Sequence, residues 1–60
     1  MDQEKVGSFI RDIRKRNGLT QKQFAEKYGV TYQAVSKWEN GKNLPDISLL
    51  RKIASDYNVS

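Results

Sequence analysis

The 60-residue sequence has no cysteine and no histidine, and it contains one proline. These absences exclude disulfides, zinc fingers with the usual Cys and His ligands, and Cys/His or Ser-His-Asp catalytic groups. No apolar run is long enough to cross a membrane, and Met1 is followed by polar residues rather than by a signal peptide. We therefore expect a cytoplasmic domain with no metal, no cofactor and no membrane contact.

The acidic residues are scattered through the four predicted helices and form no catalytic motif. They are Asp2, Glu4, Asp12, Glu26, Glu39, Asp46 and Asp56. Basic residues outnumber them by 11 to 7, which gives a net charge of +4. We therefore expect a protein that is not an enzyme and that favours a polyanionic partner, although a basic cluster alone is more often a solvated surface.

Apolar residues recur at helical spacing and predict an all-α fold. The inward positions are Val6, Phe9, Ile10 and Ile13 in the first segment, Phe24, Ala25 and Tyr28 in the second, Val35 and Trp38 in the third, and Ile47, Leu50, Ile53, Ala54 and Tyr57 in the fourth. Residues 1–60 have no repeat and no linker. The sequence therefore predicts one compact four-helix bundle, or a five-helix bundle cut short.

Residues 20–41 have the pattern of two short helices joined by a tight turn. Thr20 and Gln23 have the spacing of a capping box, Gly29 tolerates the positive φ of the turn, and Thr31 can cap the following helix. This arrangement is typical of a helix-turn-helix, whose second helix enters the major groove of DNA.

A helical wheel of the third helix separates its two faces. With Val35 facing inward, Trp38 also lies inward, and we expect a buried indole whose N–H has a hydrogen-bond partner. Gln33, Lys37 and Asn40 lie on the opposite side, and Ser36 flanks them. Amide, hydroxyl and ammonium groups of this kind bind base edges and phosphates, but an ordinary solvated face would have the same composition.

Residues 6–58 resemble the Cro and phage-repressor type of helix-turn-helix, also called the Xre family. The resemblance rests on LTQ at 19–21, FA at 24–25, YGV at 28–30 and VSKWENGK at 35–42, followed by Pro45 and Asp46 at the start of the fourth helix. It implies a lambda-repressor-like bundle. Members usually continue into a fifth helix or a further domain that forms the dimer, so we expect a homodimer on DNA to depend on regions beyond this chain.

The resemblance also implies roles for individual residues. Base-reading positions match Thr31, Tyr32, Gln33 and Lys37, and phosphate-binding positions match Gln21, Asn40 and Lys42. From the wheel and the charge pattern we add Ser36 to the first set and Lys22 to the second. Tyr32 has an alternative interpretation, in which its ring packs along the protein and covers the hydrophobic corner.

Glu39 requires a partner, since the wheel places it about 40° from inward-facing Val35. In the family an arginine of the first helix pairs with this glutamate, and Arg14 matches that position. The alternative is two unrelated surface charges, which would contribute about 0 to 1 kcal/mol. We favour the ion pair, because an unpaired, partly buried carboxylate costs roughly 3 to 5 kcal/mol.

The sequence therefore predicts a sequence-specific double-stranded DNA-binding domain of a transcriptional regulator, most simply a repressor. The alternative is a protein-interaction module, such as an antitoxin or an assembly segment of a larger regulator. A docking surface should expose an apolar patch, whereas the outer face predicted for the third helix is polar.

Overall fold

The computed structural model describes residues 2–57, and these form four α-helices: α1 (Gln3–Arg16), α2 (Gln21–Tyr28), α3 (Tyr32–Glu39) and α4 (Ile47–Asp56). The described part of the chain contains no strand, so the predicted all-α class is confirmed. None of these four helices has the length and apolar character needed to span a membrane. Residues 58–60, at the end of the segment that resembles the Xre family, lie outside the described residues.

Each helix begins at a residue whose side chain accepts a hydrogen bond from the backbone of the first turn. These N-caps are Asp2, Thr20, Thr31 and Asp46. The predicted capping box is present, with the Gln23 N–H 3.0 Å from Thr20 Oγ1 and the Thr20 N–H 2.8 Å from Gln23 Oε1. Gly29 has a φ of +68° and ends α2, so local chemistry alone sets the bounds of the helix-turn-helix.

The core lies where α3 packs against both α1 and α2. Its buried apolar residues are Val6, Ile10, Ile13, Phe24, Ala25, Val35, Trp38 and Ile53. Phe24 also reaches α4 and its C-cap, since its ring stacks on that of Tyr57 at a centroid distance of 6.4 Å. Burial of this apolar surface is the main favourable contribution to folding, at about 25 cal/mol per Å².

One position of the predicted core is wrong. Ile47 is 51% exposed, because it lies about 120° around α4 from the fully buried Ile53 and therefore faces solvent. Trp38 is buried as expected, but its indole N–H donates no hydrogen bond to any of residues 2–57, so the predicted partner is not among them.

Gly7 is where α1 approaches the end of α3 most closely. A Cβ atom at this position would lie 2.2 Å from the carbonyl oxygen of Trp38 and 3.1 Å from that of Glu39. Real Cβ atoms essentially never come so close to backbone. Only glycine therefore allows the first helix to pack directly on the last turn of α3.

We predict that Gly7→Ala lowers the free energy of unfolding by about 1 to 3 kcal/mol, because the added methyl forces the two helices apart. Helix propensity alone would give the opposite sign, since alanine is favoured over glycine by about 1 kcal/mol inside a helix. Ser8→Ala, at the next and exposed position, is the matched control and should be neutral or slightly stabilising. Urea unfolding followed by circular dichroism measures both, and a gain in stability for Gly7→Ala would contradict the close contact.

Candidate nucleic-acid interface

The outer face of α3 carries polar side chains that are not used to hold the fold. Gln33 and Lys37 are exposed, whereas Val35 and Trp38, on the other side of the same helix, are buried. Neither Gln33 nor Lys37 makes a side-chain hydrogen bond to another of residues 2–57. Both are therefore free to bind a ligand, as the wheel predicted for this face.

Tyr32 also projects from the start of α3. It is 52% exposed, so it does not cover the hydrophobic corner, and that alternative interpretation is wrong. The hydroxyl groups of Tyr28 and Tyr57 are hydrogen-bonded to Asp56 and Lys27 respectively, but no described residue binds that of Tyr32. Next to it, Thr31 is exposed and uses its hydroxyl oxygen to cap the helix, at 3.2 Å from the Ala34 N–H.

The N-terminus of α2 presents two unused backbone donors. The capping box binds the N–H groups of Thr20 and Gln23, which leaves those of Gln21 and Lys22 without an intrahelical partner. The side chain of Lys22 is exposed. Free amides, the positive end of the helix dipole and a nearby ammonium form a suitable site for an anion.

The C-terminal end of α3 is fixed by its own hydrogen bonds. Asn40 caps the helix, and its side-chain Nδ2 lies 2.8 Å from the Ser36 carbonyl oxygen and 3.3 Å from Ser36 Oγ. The backbone N–H of Lys42 donates to the Lys37 carbonyl at 2.9 Å. Lys42 therefore extends an exposed ammonium from a fixed backbone position, and half-buried Ser36 is tied to Asn40.

Glu39 is the buried charged residue among residues 2–57, with a side chain that is 0% exposed. Arg14 binds it through two nitrogens: Nε lies 2.7 Å from Oε2, and Nη2 lies 3.0 Å from Oε1. The remaining Arg14 nitrogen, Nη1, donates to the Leu19 carbonyl at 2.9 Å. A planar guanidinium matches a carboxylate in this two-point geometry, so Arg14 fixes α1 to both α3 and the loop before α2.

Two further residues bind the same carboxylate, and sequence reasoning missed both contacts. Gln21 Nε2 and Arg11 Nε each lie 3.3 Å from Glu39 Oε1. Arg11 Nη2 also lies 3.5 Å from the Glu39 backbone oxygen. The spacing of Gly7, Arg11 and Arg14, at i, i+4 and i+7, was the available signal, because it places all three on one face of α1.

These donors keep Glu39 ionised. Burial of the carboxyl group opposes ionisation, but hydrogen bonds from Arg14 and Gln21, the positive charge of Arg14 and the hydrogen bond from Arg11 outweigh it. The pKa of Glu39 therefore lies below its ordinary value. The hydrogen bond to Glu39 in turn raises the pKa of Arg14.

Comparison with known proteins agrees with this geometry. The family model HTH_3, described as helix-turn-helix, matches residues 10–60. The chain belongs to this helix-turn-helix family. The resemblance to Cro and phage repressors is thereby confirmed. A solved structure described as an HTH_3 family transcriptional regulator from Vibrio cholerae superimposes with a TM-score of 0.81 at 30% identity, over all of this chain and 34% of that one.

Curated relatives of this helix-turn-helix chain are longer proteins. The transcriptional activator BcrR of Enterococcus faecalis is 37% identical over 51 residues, and the transcriptional regulator PuuR of Escherichia coli (strain K12) is 39% identical over 54 residues. These matches cover 85% and 90% of this chain, but only 25% and 29% of the relatives. The antitoxin PezA of Streptococcus pneumoniae is 34% identical over 92% of this chain and 35% of its own length.

We predict that Arg14→Met lowers the free energy of unfolding by about 3 kcal/mol, since it leaves a buried carboxylate with weaker partners. The matched control is Arg16→Met, two residues along the same helix. Arg16 pairs with Asp12 at 3.0 Å, but the two side chains are 76% and 59% exposed, so its loss should cost less than about 1 kcal/mol. Chemical denaturation compares the variants, and equal midpoints would contradict a structural role for the Glu39 pair.

We also predict that Glu39 contributes to stability above about pH 4.3, the ordinary value for glutamate. Its pKa is lowered in the folded state, so the unfolded chain binds the proton first as the pH falls, and folding weakens toward the folded-state pKa. A ¹³C NMR titration of the carboxyl carbons measures the pKa of Glu39 in the folded state directly. A Glu39 midpoint at or above the ordinary value would show that burial outweighs the three donors.

Proposed function

We propose that the chain is the double-stranded DNA-binding domain of a transcriptional regulator, and that α3 enters the major groove. The observation that carries this proposal is the exposed pair Gln33 and Lys37, whose side chains make no hydrogen bond to the described residues 2–57, on the outer face of a helix whose other face is buried. Free donors flank that face at the start of α2 and at the end of α3. Such a surface matches base edges in the groove and phosphates on both sides of it.

Within this proposal, base contacts come from α3 and its N-cap. Glutamine binds adenine at two atoms and lysine donates to guanine O6 and N7, so Gln33 and Lys37 carry most of the specificity. Thr31, Tyr32 and Ser36 add contacts from the start and the flank of the helix. Phosphate contacts come from Gln21, Lys22, Asn40 and Lys42, which set the position of the domain on the duplex.

The regulator that contains this domain acts most simply as a repressor in the cytoplasm, excluding polymerase from a promoter by occupying its operator. Two copies of the domain, held together by regions beyond these 60 residues, would read half-sites about 34 Å apart. A single copy binds one half-site weakly. When two domains are linked, binding of the first raises the effective concentration of the second at the neighbouring half-site.

A second candidate function is docking to a protein partner. The similarity to the antitoxin PezA favours it, as do two exposed apolar side chains near the start of α4, Leu44 and Ile47, at 38% and 51% exposure. These residues lie outside the helix-turn-helix. Protein docking and DNA binding therefore need not compete for the same surface.

Selection from a randomised duplex pool tests the proposed function. The 60-residue chain, and a tandem fusion of two copies, are incubated with the pool at near-physiological salt, and the retained duplexes are sequenced. We expect an enriched motif, which the fusion binds more tightly. Retention without enrichment would reduce the proposal to non-specific binding, and no retention by either protein would favour the docking function.

We predict different effects for Gln33→Ala and Lys42→Ala. Loss of Gln33 should cost about 1 to 3 kcal/mol on the selected motif and relax the preference at one base pair, because a base contact is removed. Loss of Lys42 should weaken selected and random duplexes alike and reduce the slope of log affinity against log salt by about 0.9. Lys52→Ala, on α4, is the control. Equal losses for both variants on both duplexes would contradict the assignment of these roles.

A further inference from the structure

The cluster around Glu39 contains more positive than negative charge. Arg11 and Arg14 both bind the single Glu39 carboxylate, so one guanidinium charge is left over. The two arginines differ in exposure: the side chain of Arg14 is 12% exposed and that of Arg11 is 45% exposed. The excess charge is therefore accessible to solvent at Arg11.

Arg11 also retains free donors. Its Nε and Nη2 atoms contact Glu39, whereas Nη1 has no hydrogen-bond partner among residues 2–57. Arg11 Nε lies 3.3 Å from Glu39 Oε1, whereas Arg14 Nη2 lies 3.0 Å from the same oxygen, so Arg11 makes the longer of the two arginine contacts. Arg14, by comparison, uses all three of its guanidinium nitrogens within the protein.

Arg11 lies close to both proposed phosphate-binding ends of the helix-turn-helix, the start of α2 and the end of α3. Arg11 Nε and Gln21 Nε2 each lie 3.3 Å from the same oxygen of Glu39, so they are separated by no more than twice that distance. Arg11 Nη2 contacts the Glu39 carbonyl, which forms the peptide bond with Asn40. Arg11 therefore lies between the start of α2 and the end of α3.

We propose that Arg11 is a further DNA-binding residue, contributed by α1, whose free guanidinium edge contacts the phosphate bound by Gln21 or the one next to it. The proposal deepens the proposed function and rests on it. Glu39 orients Arg11 through Nε while Nη1 reaches outward, as a planar guanidinium with five donors allows. A carboxylate shared in this way positions both Arg11 and Gln21 before DNA arrives.

The test measures binding to a random-sequence duplex over a series of salt concentrations, because a phosphate contact needs no operator. Arg11→Gln keeps a hydrogen-bonding side chain but removes the charge, and it should lower affinity roughly tenfold at low salt and reduce the salt slope by about 0.9. Arg11→Lys keeps the charge and should retain most of the slope. Arg51→Gln, an exposed arginine on α4, should leave the slope unchanged.

An unchanged slope for Arg11→Gln, together with a lower unfolding midpoint, would overturn the proposal and leave Arg11 with a purely structural role. If wild-type protein binds no duplex, the proposed function itself fails, and that result is distinct. Should Arg11→Gln not fold, NMR of the arginine Nε–H groups in the wild-type chain decides. A shift of the Arg11 signal during duplex titration supports the contact, and an unmoved signal contradicts it.

Discussion

The whole arrangement depends on one buried carboxylate. Glu39, at the last turn of α3, receives hydrogen bonds from Arg14 and Arg11 of α1 and from Gln21 of α2. Because a buried charge without partners is costly, these donors fix the end of the proposed reading helix relative to the other two. Gly7 allows the approach that brings them into range. The orientation of the outer face of α3 is therefore fixed by contacts on the opposite side of the helix. Arg11 and Gln21, which make some of these contacts, lie beside the proposed phosphate-binding positions.

This geometry ties stability to the proposed activity. Gln21 uses its side-chain amide to bind Glu39, while its backbone N–H remains free at the start of α2. A substitution that removes Glu39 would thus disturb both the packing of α1 on α3 and the orientation of donors toward DNA. In such a small domain the margin of stability is narrow, so separating the two effects requires variants matched in charge or in hydrogen bonding.

Much of the fold could be predicted from the sequence because the information is local. The cap at Thr20, the turn at Gly29 and the outward position of Lys37 each depend on residues within one or two helical turns. Local spacing places Arg11 on the same face of α1 as Arg14, but the contacts of Arg11 and Gln21 with Glu39 also depend on how three helices cross, which local patterns do not specify. Ile47 was wrongly predicted to be buried because the apolar spacing suggested a single stripe, whereas Ile47 lies about 120° around α4 from the buried Ile53 and faces solvent.

DNA binding through α3 is tested most directly by a map of backbone amide shifts in the 60-residue chain as a selected duplex is added. We expect the largest changes at the start of α2, along the outer face of α3 and around Arg11, with little change in α4. Changes confined to Leu44, Ile47 and their neighbours, with α3 unaffected, would contradict DNA binding through α3. They would show that the chain binds its partner through the apolar surface at Leu44 and Ile47 and not through the outer face of α3.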